Sequence, residues 1–352
     1  IKEKVSMDKK YAKLAAEKTL ELLKIDSPSG FTENAAAWVY SEFQSMGYDV
    51  ARTNKGGVTV NLGGKFSEDA LMLEAHIDTL GGMVSAVLPS GRLKITPIGG
   101  LNADNVEAEN VRVYTRDGRV YTGTYQLANA SVHVNTEYSS VKRSFDTMEV
   151  VLDEDVKSRE DTVGLGIETG DFVCFDPRAV ITEKGYIKSR FLDDKLSVGA
   201  LMAFAGYLKD NRIELKRRTY IHVTVYEEVG HGGSSSLPKG VSEAISVDMG
   251  CVGDGLNCTE RKVSVCAKDS GGPYNYEVVS GLIDAAKREG ADYAVDVYPR
   301  YGSDVEATLR AGYDVKHGLI GAGVYASHGY ERSHIDGVYA LMKLLKGYLD
   351  IE

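Results

Sequence analysis

Between residues 84 and 185 the chain carries no run with convincing helical periodicity. It reads instead as short segments rich in Val, Ile, Tyr and Thr, among them GRLKITPIGG, NVRVYTRDGRVYTGTYQL, GDFVCFD and AVITEKGYIKSR, punctuated by Gly and Asp-Gly turns. On both sides of this block the pattern is different. Residues 7–25 and 31–47 carry helical spacing, followed by strands at 58–62 and 70–75. Beyond the block come helical residues 193–208, apolar strands at 219–226 and 244–247, a helix at 274–288, a strand at 292–297 and a closing helix at 337–349. Strands alternate with helices, and the buried strands are continuously apolar, as in a sheet covered on both faces. The expected architecture is therefore a discontinuous α/β domain, residues 1–83 plus 186–352. Into it is inserted a small all-β, barrel-like domain over 84–185.

Five places set metal-type ligands at or near the ends of expected strands, where α/β sheets collect functional groups. His76 closes the apolar run before it, and Asp78 follows two residues on, facing the same side in extended backbone. That fits a ligand and the partner that orients its second ring nitrogen, and equally a satisfied histidine in a turn. The pair Asp193-Asp194 precedes a helix, so an N-cap with a first-turn acid is one reading and a carboxylate bridging two cations is the other. Glu227-Glu228 ends an apolar strand and runs into Val229-Gly230-His231-Gly232-Gly233. Crowded like charges are costly without a cation, and of two successive carboxylates one can hold metal while the other holds the attacking water. Asp248 again ends an apolar strand before Gly250. His328 and His334 both lie just before the last helix, and either could ligate. In chain order the set gives His, Asp, Glu, Asp, His with a spare Glu. Mixed N/O ligation of this kind suits Zn, Co or Mn, and a pair of such ions would polarise a carbonyl and activate water.

This order and these motifs resemble the dinuclear metallo-aminopeptidases of the tetrahedral, glutamyl and deblocking type, over nearly the whole chain. The most specific parts are the LDD motif at 192–194 and the glutamate-glycine stretch from 227. The resemblance implies a mixed-sheet α/β/α catalytic domain with an inserted β-barrel, a peptide substrate, and two divalent ions, Zn first with Co or Mn as alternatives. It implies His76, Asp193, Glu228, Asp248 and His328 as metal ligands, with His334 the alternative last ligand. It further implies Asp193 as the bridging ligand, Asp78 as the partner that orients His76, and Glu227 as the general base. Gly302-Ser303-Asp304 resembles the family's GTD loop, so Ser303 and Asp304, with His231, are expected to line the substrate subsite. The chain departs from the family where HGG replaces its usual Arg after EEVG, and where Gly329 follows the last His in place of Ser. The resemblance also implies a homo-oligomer, a dodecameric shell. The rival readings are a related aminoacylase or carboxypeptidase, and a non-catalytic scaffold keeping the fold. The first usually carries its extra domain between the fourth and fifth ligands, whereas here the long β-rich gap lies between Asp78 and Asp193.

Composition narrows the classes further. With 41 Lys+Arg against 51 Asp+Glu the net charge is −10, a poor match to a phosphate backbone, so nucleic acid is not an expected partner. No stretch approaches the roughly 18 apolar residues of a membrane helix, and the first residues show no apolar signal-peptide core. Cys174, Cys251, Cys258 and Cys266 form no CxxC pair, which suits a reduced, cytoplasmic protein.

Overall fold

The strand Phe66–His76 changes character along its length: its first four residues are exposed and the next seven are buried. Seven consecutive buried positions, Ala70 to His76, require cover on both faces of the sheet. In the computed structural model, which describes residues 7–351, this strand lies inside a 12-stranded mixed sheet. Its two neighbours, Arg217–Thr224 and Val241–Val247, both run parallel to it. Lys316–Tyr325 runs parallel to Val241–Val247 on the far side. Thr224 pairs with His76, Ser246 with Glu74, and Val247 with Ile320. The shared direction and register bring the carboxyl ends of four strands to one edge, where the segments beginning at His76, Tyr226, Asp248 and Ala326 emerge.

Helices cover the sheet through one-sided apolar stripes. Lys9–Leu23 is capped by Asp8, whose side chain accepts the Lys10 N–H at 2.8 Å, and buries Tyr11, Ala12, Ala15, Ala16, Thr19, Leu22 and Leu23. It packs on Leu192–Asp210, a helix buried along nearly its whole length. Contact there is close because residue 199 is glycine: a Cβ at that position would lie 2.3 Å from Thr19 Oγ1 and 2.7 Å from the Ala15 carbonyl. Ile335–Tyr348 packs against both Lys9–Leu23 and Tyr276–Glu289. None of the described helices is long and apolar enough to cross a membrane.

The chain divides into two compact units, one of residues up to Asp78 together with those from Arg178 onward, the other Thr79–Pro177. The second unit is a closed barrel. Its strands run in the order Gly81–Val87, Leu93–Ile98, Met148–Leu152, Val120–Leu127, Glu109–Tyr114 and Phe172–Phe175. Closure leaves no free sheet edge. Buried and less buried residues alternate along Glu109–Tyr114, as a barrel wall requires, and Tyr125 and Phe175 pack edge-to-face inside at 5.7 Å. Gly118, at φ 86°, makes the Asp-Gly turn between two of these strands. A single helical turn, Arg159–Gly164, closed by a Ser158–Asp161 capping box, is the one α-helical element described in this unit.

Mixed-sheet α/β architecture with a β-barrel is the fold class expected. Six elements of the α/β unit go beyond the sequence expectation: the strands Asp49–Arg52, Gly250–Val252, Val263–Lys268, Lys316–Tyr325 and Glu331–His334, and the short helix Asp304–Arg310.

Candidate metal centre

The last residue of the central strand is His76, and its ring is fully buried. Nδ1 lies 2.9 Å from the Asp78 carbonyl oxygen and 3.6 Å from Asp78 Oδ1. Nε2 faces Asp193 Oδ1 at 3.1 Å and Glu227 Oε2 at 3.6 Å. The Asp78 carboxylate is itself occupied: Oδ1 accepts the Glu227 N–H at 3.1 Å, and Oδ2 accepts the Glu228 N–H at 3.3 Å and the Ser29 hydroxyl at 2.5 Å. Asp78 thus joins the end of one strand to the turn that carries the glutamate pair.

Asp193 opens the long buried helix after Phe191, which holds a left-handed φ of 66°. The peptide between Asp193 and Asp194 is cis. Asp193 Oδ1 reaches His76 while Oδ2 lies 3.6 Å from His328 Nε2. Glu228 Oε2 stands 3.5 Å from the same His328 nitrogen. Two groups of ligand atoms therefore form, each spanning no more than 4.8 Å: His76, Asp193 and Asp248 in one, Asp193, Glu228 and His328 in the other. Asp193 belongs to both, and Glu227 belongs to neither while facing His76.

Burial and neighbouring charges act on the carboxyls of the site. Burial first, then neighbouring carboxylates, pushes Glu228 well above the ordinary carboxyl range. Burial does the same to Glu227, opposed by His76 and reinforced by Asp248, Asp304 and Asp193. Asp194 is raised by burial and by Asp248, and its Oδ1 is buried without a hydrogen-bond partner. Asp248 is pushed up to about 6 by burial and the Asp193 charge, against hydrogen bonds from Tyr301 and the Met249 N–H. Asp193 goes the other way: burial would raise it, but the imidazoles of His328 and His76 hold it below its usual value. His76 is raised in turn, burial being outweighed by its bond to Asp193 and by the Glu227, Asp78 and Asp248 charges. Carboxylate and imidazole donors packed this closely, with an orphaned buried carboxylate oxygen beside them, fit divalent cations of the Zn, Co or Mn type.

The remaining expected residues fall around this cluster in different ways. His334 lies outside both ligand groups. Its Nε2 faces the Lys184 carbonyl at 2.7 Å and its Nδ1 accepts the Asp336 N–H at 2.9 Å, capping the last helix. His231 is exposed and stacks on Tyr226, ring centroids 4.9 Å apart. Ser303 and Asp304 are buried. The Ser303 hydroxyl meets Tyr274 OH at 3.0 Å, while Asp304 accepts the Gly233 N–H at 2.6 Å and the Thr224 hydroxyl.

Two supporting residues escaped the sequence reading. Glu331 is buried and accepts the Asp193 N–H and the His328 N–H, each at 3.0 Å. Tyr301 OH donates to Asp248 Oδ1 at 2.6 Å. The His-x-x-Glu spacing from His328 was a usable signal for the first; Tyr301 meets Asp248 from a segment 53 residues further along the chain, and no local pattern points to it.

A model of the M42 glutamyl aminopeptidase family matches residues 56–344. YhfE, a candidate aminopeptidase of Bacillus subtilis, is 42% identical over 336 residues, covering 94% of this chain and 97% of that protein. Among solved structures, an aminopeptidase of the archaeon Desulfurococcus kamchatkensis superposes with a TM-score of 0.84 at 22% identity, covering 96% and 95% of the two chains. The TET1 peptidase of Pyrococcus horikoshii does so with 0.81 at 21%, covering 95% and 98%.

Proposed function

The chain belongs to the M42 glutamyl aminopeptidase family and is an aminopeptidase, and we propose that it works with two divalent cations and with Glu227 as its general base. The observation that carries the reading is the sharing of Asp193 between two donor groups, with one glutamate left over at the same site. His76, Asp193 and Asp248 would hold one ion; Asp193, Glu228 and His328 would hold the other. Nitrogen and oxygen donors without thiolate favour Zn, with Co or Mn as alternatives. Ions held there supply Lewis-acid polarisation of the scissile carbonyl and acidify water.

The chain's own groups do the rest. Glu227, partly buried and facing His76, takes a proton from the attacking water and gives it to the leaving nitrogen of the peptide. Asp78 fixes the backbone of both glutamates, so the base and its neighbour keep their separation through the cycle. The reaction opens one peptide bond and consumes one water, releasing the N-terminal residue and the shortened peptide.

Assembly follows the same reasoning. The TET1 peptidase of Pyrococcus horikoshii is described as forming a tetrahedron or a large octahedral shell. A homo-oligomer, a dodecamer in the simplest case, is the matching proposal here, and light scattering on the purified protein measures it. The functional test is chelation followed by return of Zn, Co and Mn separately, with aminoacyl-nitroanilides and N-acylated amino acids as rival substrates. The reading predicts loss and metal-dependent recovery on the free-amine substrates. Full activity after complete metal removal, or preference for acylated substrates, would contradict it.

A further inference from the structure

The turn carrying Glu227 and Glu228 is short and conformationally demanding. It begins at Tyr226, a non-glycine residue at φ 69°, passes through a 3-10 turn over Glu227–Val229, and leaves through Gly230 at φ 86°. A side chain in the left-handed region costs free energy, and such a backbone persists only where surrounding contacts over-determine it. Asp78 accounts for the amides of the two glutamates. The segment after Gly230 needs its own support.

That support comes from two side chains on two other elements. Lys55 sits in the loop 53–57, between the strands Asp49–Arg52 and Val58–Gly63. Its Nζ donates to the His231 carbonyl, to the Gly232 carbonyl at 3.1 Å and to Ser234 Oγ at 3.1 Å. These are its three hydrogen bonds, and each goes to an oxygen of the 231–234 segment. The lysine loop is itself closed, with the Thr53 N–H on the Gly57 carbonyl at 2.9 Å and the Gly57 N–H on Thr53 Oγ1 at 2.9 Å. From the short helix Asp304–Arg310, Asp304 takes the Gly233 N–H, and Thr308 Oγ1 donates to the Gly233 carbonyl at 2.8 Å. A Cβ on Gly232 would lie 2.2 Å from Asp304 Oδ1, and one on Gly233 2.4 Å from the Asp304 carbonyl. The two glycines are what let the carboxylate come this close.

We infer that Lys55 is a positioning residue for the peptidase reaction: together with Asp304 it clamps the segment after Gly230, ammonium on carbonyls and carboxyl oxygen on amide, and so fixes where Glu227 stands. The clamp rests on the role assigned to Glu227 above. It also gives Asp304 a task inside the protein.

The test compares Lys55→Met and Lys55→Arg with the wild-type, metal-loaded protein. Hydrogen–deuterium exchange over 226–234 reads the clamp directly. Exchange there is expected to quicken in Lys55→Met and to return toward wild type in Lys55→Arg, with the barrel unchanged in both. Steady-state kinetics are expected to show kcat lower by about 10- to 100-fold in Lys55→Met, with KM within about twofold. Metal content is expected to stay at the wild-type level. Unaltered exchange in Lys55→Met overturns the clamp, as does quickened exchange with wild-type kcat, or activity lost in proportion to metal content. If the wild type itself lacked metal-dependent peptidase activity, the functional reading would fail, and the exchange comparison would still decide whether Lys55 holds the segment.

Discussion

Glu331 Oε2 accepts the backbone N–H of Asp193 at 3.0 Å. The other oxygen of the same carboxylate accepts the His328 N–H, so one buried side chain ties the proposed shared ligand, Asp193, to the proposed last one. Substituting Glu331 by Ala leaves two amides without acceptors beside the site. Groups that orient ligands in this way typically account for about 10- to 100-fold in metal affinity. Metal titration of Glu331→Ala is expected to show that loss, larger than in Glu331→Gln, which keeps one acceptor oxygen. Identical isotherms for the variant and wild type would remove Glu331 from the account.

Tyr301 plays a narrower part. Its hydroxyl touches Asp248 Oδ1 and the Met249 carbonyl, and no other ligand. Tyr301→Phe should therefore weaken the ion at the His76–Asp193–Asp248 group by about tenfold and spare the other. Cobalt titration followed by absorbance separates the two steps. Equal weakening of both would contradict the assignment.

The metal-free protein should lose stability as pH rises. Burial leads in raising Asp248 to about 6, and Glu331 and Asp304 each to about 8. A carboxyl raised in the fold binds its proton more tightly there than in the unfolded chain. Its stabilising contribution is complete below the unfolded value near 4 and is lost as pH climbs through the folded value. His76, also raised, adds to the same trend. Melting temperature of chelated protein should fall between about pH 4 and about pH 8, and metal should shrink that fall. A melting temperature that holds or rises across this window would contradict the buried-carboxyl account.

The candidate ligands that the structure brings together could be picked out in the sequence because they follow apolar strands, as His76 and Asp248 do, or stand at the start of a helix, as Asp193 does. The strand leading to His328 was not legible. Lys316–Tyr325 carries Gly318, Gly321 and Gly323, and glycine weakens a strand signal. The glycines answer to neighbours distant in sequence: a Cβ on Gly321 would lie 1.8 Å from the Asp248 carbonyl oxygen, and one on Gly323 2.1 Å from that of Thr259. Nothing within ten residues of Gly321 reports that contact. For the same reason Lys55 and Asp304, which meet the glutamate turn only in the folded chain, could be placed near the chemistry at best by resemblance, or not at all.

The same close approach yields a stability prediction. Gly321→Ala must push the Asp248 backbone away, an overpacking change worth about 1–3 kcal/mol. Denaturant unfolding should show that destabilisation together with weaker metal binding at the Asp248 group. A variant with wild-type stability and metal affinity would mean that the strand ends are not held as tightly as described.

The central claim is that Glu227 moves the proton while its neighbours hold the metal. The most direct measurement is the turnover of Glu227→Gln beside its metal content. The substitution keeps the shape of the side chain and removes its basicity. The account predicts full metal content and a kcat lower by about 100- to 10,000-fold. Wild-type turnover in the metal-loaded variant would contradict it outright.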